Sequence, residues 1–259
     1  MQSKQAEWHE QWSMFHDSEN FLFEDWISPN TINDFRGKEV LECGCGSGQH
    51  TAIIAPYAKK VVAVDLNTTD IARTANQRFN NVVFLQNDIA EMDLKHKFDI
   101  VFSIGVVHHT NNPDKTIENL KRHLKDGGRL IIWVYSKEGN FIVENIVEPI
   151  RKIFFKDITR KKLVSLSKII TFLMYIPIYS VYLLPLKFLP YYDYFENFRR
   201  MSFDRNCLNV FDKLNAPQVE FIDKERISRW FNDKEFINIH IGAYKGVSWR
   251  GSGTKKCQK

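Results

Sequence analysis

A short glycine-rich segment, Glu42–Gly48 (ECGCGSG), combines residue types and a spacing that suit ligand binding. Glycine has no Cβ, so the backbone can turn tightly there and approach a ligand closely. Asp65 ends the next apolar run, 21 residues after Gly44. A carboxylate at that distance can accept hydrogen bonds from both hydroxyls of an adenosine ribose. The two features together predict a site for an adenosine-containing ligand.

The glycine spacing separates two kinds of adenosine ligand. Dinucleotide-binding loops have the pattern G-x-G-x-x-G, whereas this loop is G-x-G-x-G. The loop also begins with Glu42, a carboxylate that would sit badly beside a pyrophosphate and suits a cationic ligand. NAD and FAD are therefore disfavoured.

The loop resembles the first motif of the class I S-adenosylmethionine-dependent methyltransferases, E/D-x-G-x-G-x-G, and the resemblance extends through residues 38–135. The later segment LKDGGRLII is similar to the LKPGG turn common in that family, with Asp126 in place of the proline. The resemblance implies S-adenosylmethionine as the cofactor, which has an ammonium and a sulfonium and no phosphate. Within the class, the chain looks most like the broad small-molecule, type 11-like group that includes the quinone-biosynthesis methyltransferases.

The same resemblance implies which residues hold the cofactor. Asp88, which follows the third predicted strand, would accept a hydrogen bond from the adenine amino group, and the backbone N–H of Ile89 would donate one to the adenine ring. A plain helix N-cap is the alternative for that acid. The implied cofactor-binding residues are Glu42, Gly44, Gly46, Gly48, Asp65, Leu66, Asp88, Ile89 and Ser103.

Two adjacent histidines, His108 and His109, follow the fourth predicted strand, beside the expected position of the methyl group. Methyl transfer from a sulfonium is an in-line displacement, for which the protein supplies alignment and, for a hydroxyl acceptor, a base. Imidazole titrates near neutrality and can accept that proton. We predict both histidines as catalytic and favour His108 as the cofactor-proximal one; capping a helix or lining the pocket is the alternative.

Two further groups of residues lie near these positions in the sequence. Cys43 and Cys45 have C-x-C spacing, but they belong to the glycine loop and the other two cysteines are distant, so we predict no metal site. Trp8, His9 and Trp12 stand at helical spacing. They predict an N-terminal helix that either closes over the cofactor or packs on the core.

The elements that position these residues follow from short apolar runs that alternate with helical patterns. This alternation predicts a parallel sheet with helices on both faces. We predict an α/β, Rossmann-like class I methyltransferase fold with seven strands, mostly parallel, an antiparallel last strand and a helical lid insertion. The predicted strands are Lys38–Cys43, Val61–Asp65, Val82–Gln86, Phe98–Ile104, Arg129–Val134, Phe236–Tyr244 and Val247–Thr254, the predicted helices are Gln49–Lys59, Thr68–Phe79, Pro113–Leu124 and Glu225–Phe231, and Asp126–Gly128 is a predicted turn.

The composition fits one globular domain with an insertion. The chain has 259 residues, 44% hydrophobic and 26% charged, which argues against a disordered, fibrous or polytopic membrane protein. We predict a cofactor-binding core over residues 1–140, a lid over 141–205 and a return to the core over 206–259. The net charge is −6 over residues 1–150, +7 over 151–205 and +4 over 206–259. The insertion is therefore the most basic part of the chain.

An uncharged stretch of 18 residues, Ile169–Leu186, lies within the insertion. A membrane span is disfavoured because Pro177 and Pro185 interrupt it and it separates two parts of one domain. An apolar lid over the site is one interpretation, and a lid that also touches an anionic membrane or a lipid-linked substrate is another. A phosphate-bearing substrate would suit the flanking cations equally well. These cations are Arg151, Lys152, Lys156, Arg160, Lys161, Lys162, Arg199, Arg200 and Arg205.

The predicted function is methyl transfer from S-adenosylmethionine to an oxygen, with carbon or nitrogen less favoured, of a small-molecule or lipid- or glycan-linked acceptor. A tRNA-modifying methyltransferase, a nicotinamide oxidoreductase and a non-catalytic S-adenosylmethionine-binding protein are the alternatives, and a nucleic-acid partner is disfavoured. Four cysteines and no apolar secretion segment at the start predict a cytoplasmic protein. A peripheral membrane contact through residues 151–205 remains an open alternative.

Overall fold

A computed structural model describes residues 6–15, 20–155 and 158–257. Of the basic residues noted in the insertion, Lys156 lies outside this described part.

A seven-stranded sheet forms the centre of the protein, with the order β3-β2-β1-β4-β5-β7-β6. The first five strands in chain order are parallel, and β7 pairs antiparallel with both β5 and β6. This arrangement confirms the predicted fold, including the antiparallel last strand. The strands are β1 (Glu39–Cys43), β2 (Lys60–Asp65), β3 (Val82–Gln86), β4 (Phe98–Ile104), β5 (Leu124–Tyr135), β6 (Phe236–Tyr244) and β7 (Ser248–Lys255).

The central strands are apolar on both faces because both faces of the sheet are covered. Val40 of β1 and Phe102 of β4 belong to a core cluster on one face. Their neighbours Leu41 and Val101 belong to a second cluster on the opposite face. Alternate side chains of a strand point to opposite faces, so continuous apolar runs produce two cores.

Helices connect the strands and cover the sheet. Those before residue 140 are α1 (Ala6–Met14), α2 (Asn20–Ile27), α3 (Gln49–Ile54), α4 (Thr69–Ala75) and α5 (Pro113–Arg122), with 3-10 turns at Ile32–Phe35 and Val107–His109. The insertion contains π-helical segments Val143–Val147 and Arg151–Phe155 around α6 (Glu148–Ile150), then α7 (Arg160–Ile178), a 3-10 turn (Val181–Leu183) and α8 (Tyr192–Arg200). Two helices follow, α9 (Phe203–Asn215) and α10 (Lys224–Trp230).

Three predicted element boundaries differ from the structure by more than two residues, for local reasons. The helix from residue 49 ends at Ile54, because Pro56 cannot donate a backbone hydrogen bond. The helix predicted to reach Phe79 ends at Ala75, where the Asn76 amide donates to carbonyls of Gly48 and Ala72. The predicted turn at 126–128 is a bulge inside β5, since pairing with β4 jumps from Leu124 to Arg129.

The insertion is helical, as predicted, and has a small core of its own. Leu163 of α7 packs with Val210, Phe211 and Leu214 of α9. α9 runs across residue 205, so it joins the insertion to the part of the chain that re-enters the sheet. In the described part of the chain, no helix combines the length and apolarity that a membrane crossing requires.

Candidate functional site

A cavity of about 350 Å³ opens at the carboxyl ends of the parallel strands. In open α/β sheets this edge is where ligands bind, and the volume lies in the range of small-molecule sites. The loops after β1, β2, β3 and β4 line one end, which we call the cofactor end. His109, the end of β5 and helices α8 and α9 line the other, which we call the acceptor end.

The glycine loop after β1 has a backbone that only glycine adopts easily. Gly44 has φ +87°, and a Cβ on it would overlap the side chain of Val106. Gly46 has φ +53°, and a Cβ there would lie 3.0 Å from the indole of Trp12. Both glycines line the cavity. The missing Cβ atoms therefore let the β4 end and the N-terminal helix come close to the loop.

Asp65, at the end of β2, lines the cavity beside this loop. Its Oδ2 accepts from the Gly46 N–H at 3.0 Å, and its Oδ1 accepts from the Asn67 N–H at 3.2 Å. Burial raises the pKa of Asp65, and these backbone hydrogen bonds oppose the shift. Thr68 also donates to this carboxylate, so Asp65 is held firmly in place at the cavity wall.

Three other predicted cofactor residues, Leu66, Asp88 and Ile89, also line the cavity. Asp88 Oδ1 accepts from the Ala90 N–H at 2.9 Å. This bond orders the turn after β3, although no helix begins there. Asp88 therefore combines a local capping contact with a place at the cofactor end.

Glu42, Gly48 and Ser103 are not among the residues that line the cavity. Glu42 is buried behind the loop, where its carboxyl accepts from the Thr51 hydroxyl. Burial raises the pKa of Glu42 to about 8. Ser103 Oγ donates to the Cys43 carbonyl at 2.8 Å. These residues support the loop from below, and their predicted contacts with the cofactor stay predictions.

The charge at the cofactor end suits a cation without phosphate. Asp65, Asp88 and Glu91 line it. Among the described residues, Lys115 is the one Lys or Arg side chain that lines the same end. Lys115 Nζ lies 3.3 Å from Glu91 Oε1 and so is already paired. The excess of carboxylates, together with the loop that a Cβ would fill, fits the ammonium and sulfonium of S-adenosylmethionine.

The two histidines occupy different environments. His109 lines the cavity, and its Nδ1 lies 2.7 Å from the Gln218 carbonyl oxygen, which can only accept. Nδ1 therefore carries the proton and Nε2 is left as an acceptor. Burial lowers the pKa of His109, while the Asp212 carboxylate opposes the shift, so the ring is neutral near pH 7.

His108 faces the protein interior and is not among the cavity-lining residues. Its ring packs on Tyr135 at a centroid distance of 4.2 Å, and neither ring nitrogen has a hydrogen-bond partner in the described structure. Burial lowers the pKa of His108 well below its usual value. The geometry thus favours His109 over His108 as the histidine that meets a ligand.

The acceptor end contains functional candidates that sequence reasoning missed. The Tyr135 hydroxyl donates to Asp212 Oδ2 at 2.9 Å, and Gln11 Nε2 donates to Asp212 Oδ1 at 3.1 Å. Lys213 Nζ lies 5.2 Å from the centre of the Tyr135 ring. Tyr135 could have been found from its place at the end of a strand, whereas no motif marks Asp212 or Lys213. Other lining residues of this end are Trp133, Asn140, Tyr191, Tyr194, Asn197 and Arg205.

Helix α1 forms a wall shared by both ends. Trp8, Gln11 and Trp12 line the cavity, and the Trp8 ring packs on His109 at 4.7 Å. His9 Nε2 lies 3.2 Å from Asp70 Oδ2 on the outer side. The N-terminal helix therefore closes over the site. No cluster of three or more His, Cys, Asp or Glu side chains suited to a metal ion occurs among the described residues.

Comparisons with known proteins agree with this geometry. Residues 41–132 match the family described as Methyltransferase domain. A tRNA U34 carboxymethyltransferase of Alteromonas mediterranea is 30% identical over 145 residues, 52% of this chain and 40% of that protein. A ubiquinone biosynthesis O-methyltransferase of Rickettsia conorii is 34% identical over 118 residues, 44% of this chain and 41% of that protein.

A solved structure supports the fold over a longer stretch. An O-methyltransferase family protein from Burkholderia thailandensis superimposes with a TM-score of 0.56 at 12% identity, covering 93% of this chain and 57% of that one. The chain spans about two fifths of the length of the two curated relatives. The sheet order, the glycine loop with Asp65 and the matched domain agree: the chain carries a class I S-adenosylmethionine-dependent methyltransferase domain.

Proposed function

We propose that this protein transfers a methyl group from S-adenosylmethionine to an oxygen, with carbon or nitrogen less favoured, of a small-molecule or lipid- or glycan-linked acceptor. One observation carries the proposal: a single cavity joins the carboxylate-rich cofactor end to an acceptor end with His109, Tyr135 and Asp212. A donor and an acceptor bound at the two ends would lie side by side, which is what an in-line displacement requires.

At the cofactor end, the proposed roles follow from the donors and acceptors present. S-adenosylmethionine, when bound, supplies an electrophilic methyl group on a sulfonium. Asp65 would accept from the ribose hydroxyls, since its carboxylate is held at the cavity wall beside the glycine loop. Asp88 would accept from the adenine amino group, and the Ile89 backbone would contact the ring. The Gly44–Gly48 loop, with Leu66, would let the cofactor approach the backbone.

At the acceptor end, two groups can take a proton from a hydroxyl. His109 Nε2 is an acceptor because Nδ1 donates to Gln218. Asp212 is held in place by Tyr135 and Gln11, and its carboxylate lines the same cavity. We assign the base to His109 and propose that Asp212 favours the imidazolium that forms, because its negative charge opposes the lowering of the His109 pKa by burial.

A tRNA-modifying activity is the second candidate, favoured by relatives that are named tRNA U34 carboxymethyltransferases. Those matches cover 52% and 45% of this chain, and a relative named for ubiquinone biosynthesis matches over 44%. Similarity of this extent indicates the shared domain rather than the acceptor. The acceptor end is walled by α8, α9 and α1, which suits a small acceptor group better than a folded RNA.

The proposed setting is cytoplasmic, with a peripheral membrane contact through residues 151–205. The support is the charge pattern: the insertion is net basic and the preceding 150 residues are net acidic. Such a contact would bring a lipid-linked acceptor close to the cavity.

Incubation of the full chain with methyl-labelled S-adenosylmethionine and separate lipid, glycan, small-molecule and RNA fractions tests these candidates. We expect label in an alkali-resistant ether of the lipid, glycan or small-molecule fraction. Label only in the RNA fraction would replace the first candidate by the second. Binding of the cofactor by calorimetry without transfer to any fraction would indicate a non-catalytic binding protein, and no binding at all would overturn the proposal.

A further inference from the structure

The outer surface of the insertion is unusually rich in exposed apolar side chains. Twenty large apolar side chains are exposed in the described part of the chain, and fifteen of them lie within residues 141–188. That stretch is less than a fifth of the chain. Exposed apolar residues scattered singly are ordinary, whereas a concentration of this kind marks an interaction surface.

Helix α7 has a buried face and an opposite, exposed one. Its buried residues are Leu163, Ser167, Thr171 and Ile178, which pack toward α9 and the core. The exposed side chains recur at helical spacing on the other face. We call this surface, with the segment that follows it, the docking face: Ile169, Phe172, Leu173, Ile176, Val181, Leu183, Leu184 and Phe188.

Along the sequence, the docking face is flanked by basic residues and by no acidic ones. Residues 158–192 contain five basic residues and no Asp or Glu. Lys161, Lys162, Lys168 and Lys187 are exposed, and within the described structure none has a carboxylate oxygen within ion-pair distance. Arg160 differs, because it pairs with Glu10 of α1 at 3.1 Å. Four lysines are therefore available to an external anion.

We propose that the docking face binds peripherally to an anionic lipid bilayer, which sharpens the peripheral contact proposed for residues 151–205. Phe172, Leu173 and Ile176 would enter the boundary between headgroups and acyl chains, and the lysines would meet the anionic headgroups. RNA would use the lysines but leave the apolar side chains exposed. The contact does not depend on methyl transfer, and only its use for acceptor delivery rests on the proposed function.

The docking face is structurally linked to the acceptor end of the cavity. α7 packs on α9 through Leu163, Val210 and Phe211. α9 in turn contributes Arg205, Asp212 and other side chains to the cavity wall. A bilayer on the outer side of α7 would thus be separated from the acceptor end by two packed helices, α7 and α9.

Co-sedimentation of the full chain with lipid vesicles tests the inference. The probes are vesicles with about one third phosphatidylglycerol and vesicles of phosphatidylcholine alone, each at about 50 mM and about 500 mM NaCl. We expect binding to the anionic vesicles at low salt, and at least tenfold weaker binding at high salt or to neutral vesicles. Failure to bind anionic vesicles at low salt would overturn the proposal.

Two variants locate the contact. Lys161→Gln/Lys162→Gln/Lys168→Gln should weaken the partition about 100-fold, since each lysine near the surface contributes about fivefold. Phe172→Ser/Ile176→Ser, at side chains 65% and 64% exposed, should weaken it at least tenfold. Matched controls remove equal charge or apolarity elsewhere: Lys97→Gln/Arg122→Gln/Lys234→Gln and Ile237→Ser/Ile239→Ser. Equal binding by variants and controls would contradict the assignment.

Further measurements check that the variants fold and distinguish a bilayer from two other partners of the docking face, a second copy of this chain and RNA. Unchanged thermal unfolding and unchanged S-adenosylmethionine affinity show that the variants fold, and they test the cofactor site independently of the membrane. A wild-type dimer that the Phe172→Ser/Ile176→Ser variant dissociates, without vesicle binding, would assign the face to a second copy of this chain. Loss of tRNA binding but not of vesicle binding in the lysine variant would assign the lysines to RNA.

Discussion

The two ends of the cavity are built by different means. The cofactor end consists of loops that follow β1, β2, β3 and β4, so its polar groups are fixed by the sheet and by backbone hydrogen bonds such as that from Gly46 to Asp65. The acceptor end consists of side chains from α1, β5, α8 and α9, held by side-chain bonds such as Tyr135 to Asp212. A site formed by backbone groups tolerates changes in the surrounding sequence. A site formed by side chains changes whenever one of those side chains is substituted. One end can therefore stay constant while the other is adapted to an acceptor.

The two ends of the cavity also differ in their charge. The cofactor end has an excess of carboxylates, and at the acceptor end Arg205 and Lys213 outnumber Asp212. A cationic donor and an acceptor with an anionic group would each find complementary charge. Four variants test this division, in order of decreasing expected effect.

His109→Gln should lower turnover by about 10²–10⁴ with little change in cofactor affinity, because it removes the proposed base. His108→Gln should change turnover far less, since that ring faces the interior. The measurement is single-turnover transfer of labelled methyl to the active fraction, with calorimetry for the cofactor. A larger loss in His108→Gln than in His109→Gln would restore the sequence-based preference for His108.

Asp65→Ala should weaken S-adenosylmethionine binding by about 1.5–3 kcal/mol, the range for loss of a hydrogen bond to a charged group. Asp65→Asn should weaken S-adenosylmethionine binding less than Asp65→Ala does. NAD should bind neither to the wild type nor to either variant. Calorimetry measures all three, with Asp93→Ala at an exposed carboxylate as the control. Wild-type affinity in Asp65→Ala would remove this residue from the ribose site.

Glu42→Gln should change how stability depends on pH. The folded-state pKa of Glu42 is raised from 4.5 to about 8, so between these values the folded protein binds more protons than the unfolded chain. The free energy of unfolding should therefore fall as pH rises through this window, by up to about 1.4 kcal/mol per pH unit. Glu42→Gln should lose this slope.

Glu39 provides the matched control for that slope. Hydrogen bonds from Lys125 and Lys59 lower the pKa of Glu39 to about 2. Its contribution is present above the unfolded pKa and is lost only as pH falls toward 2, outside the window of Glu42. Urea unfolding at several pH values between 5 and 8 should thus give wild-type behaviour for Glu39→Gln. An unchanged slope in Glu42→Gln would mean that Glu42 is ionised in the folded protein.

Lys213→Met should have the smallest effect on the cofactor, with an affinity within about twofold of wild type. Lys213 lies half-buried over the Tyr135 and Tyr194 rings at the acceptor end, and the interaction between two charges weakens with the distance between them. Calorimetry with S-adenosylmethionine measures this. A large loss of affinity would show that the two ends are not separable.

The sequence predicted the sheet and the cofactor end well because both depend on local patterns. Phe98–Ile104 has the predicted bounds, since a buried parallel strand is a continuous apolar run. The edge strand Val82–Gln86 also has the predicted bounds, although Phe84 is its one buried residue. Asp65 and Asp88 reach the cavity because residues at the carboxyl ends of parallel strands share one edge. Their roles toward the cofactor stay predictions.

The acceptor end could not be predicted in this way. Tyr135 and Asp212 are 77 residues apart, and only the packing of the insertion brings them together. The choice between His108 and His109 depends on the packing of the 3-10 turn Val107–His109, where both rings are buried but His109 lines the cavity and His108 does not. Neither the packing nor the turn leaves a periodic pattern in the sequence.

The position of β7 has a consequence for how the chain folds during synthesis. β7 lies between β5 and β6, yet its residues follow both of them in the chain. Until residues 248–255 leave the ribosome, β5 has an open edge while the docking face is already outside. The nascent chain then exposes an unpaired strand and an apolar surface together, both of which promote aggregation. Chaperone supply and translation speed, rather than final stability, should therefore limit the yield of this protein, and a chain truncated before Ser248 should aggregate.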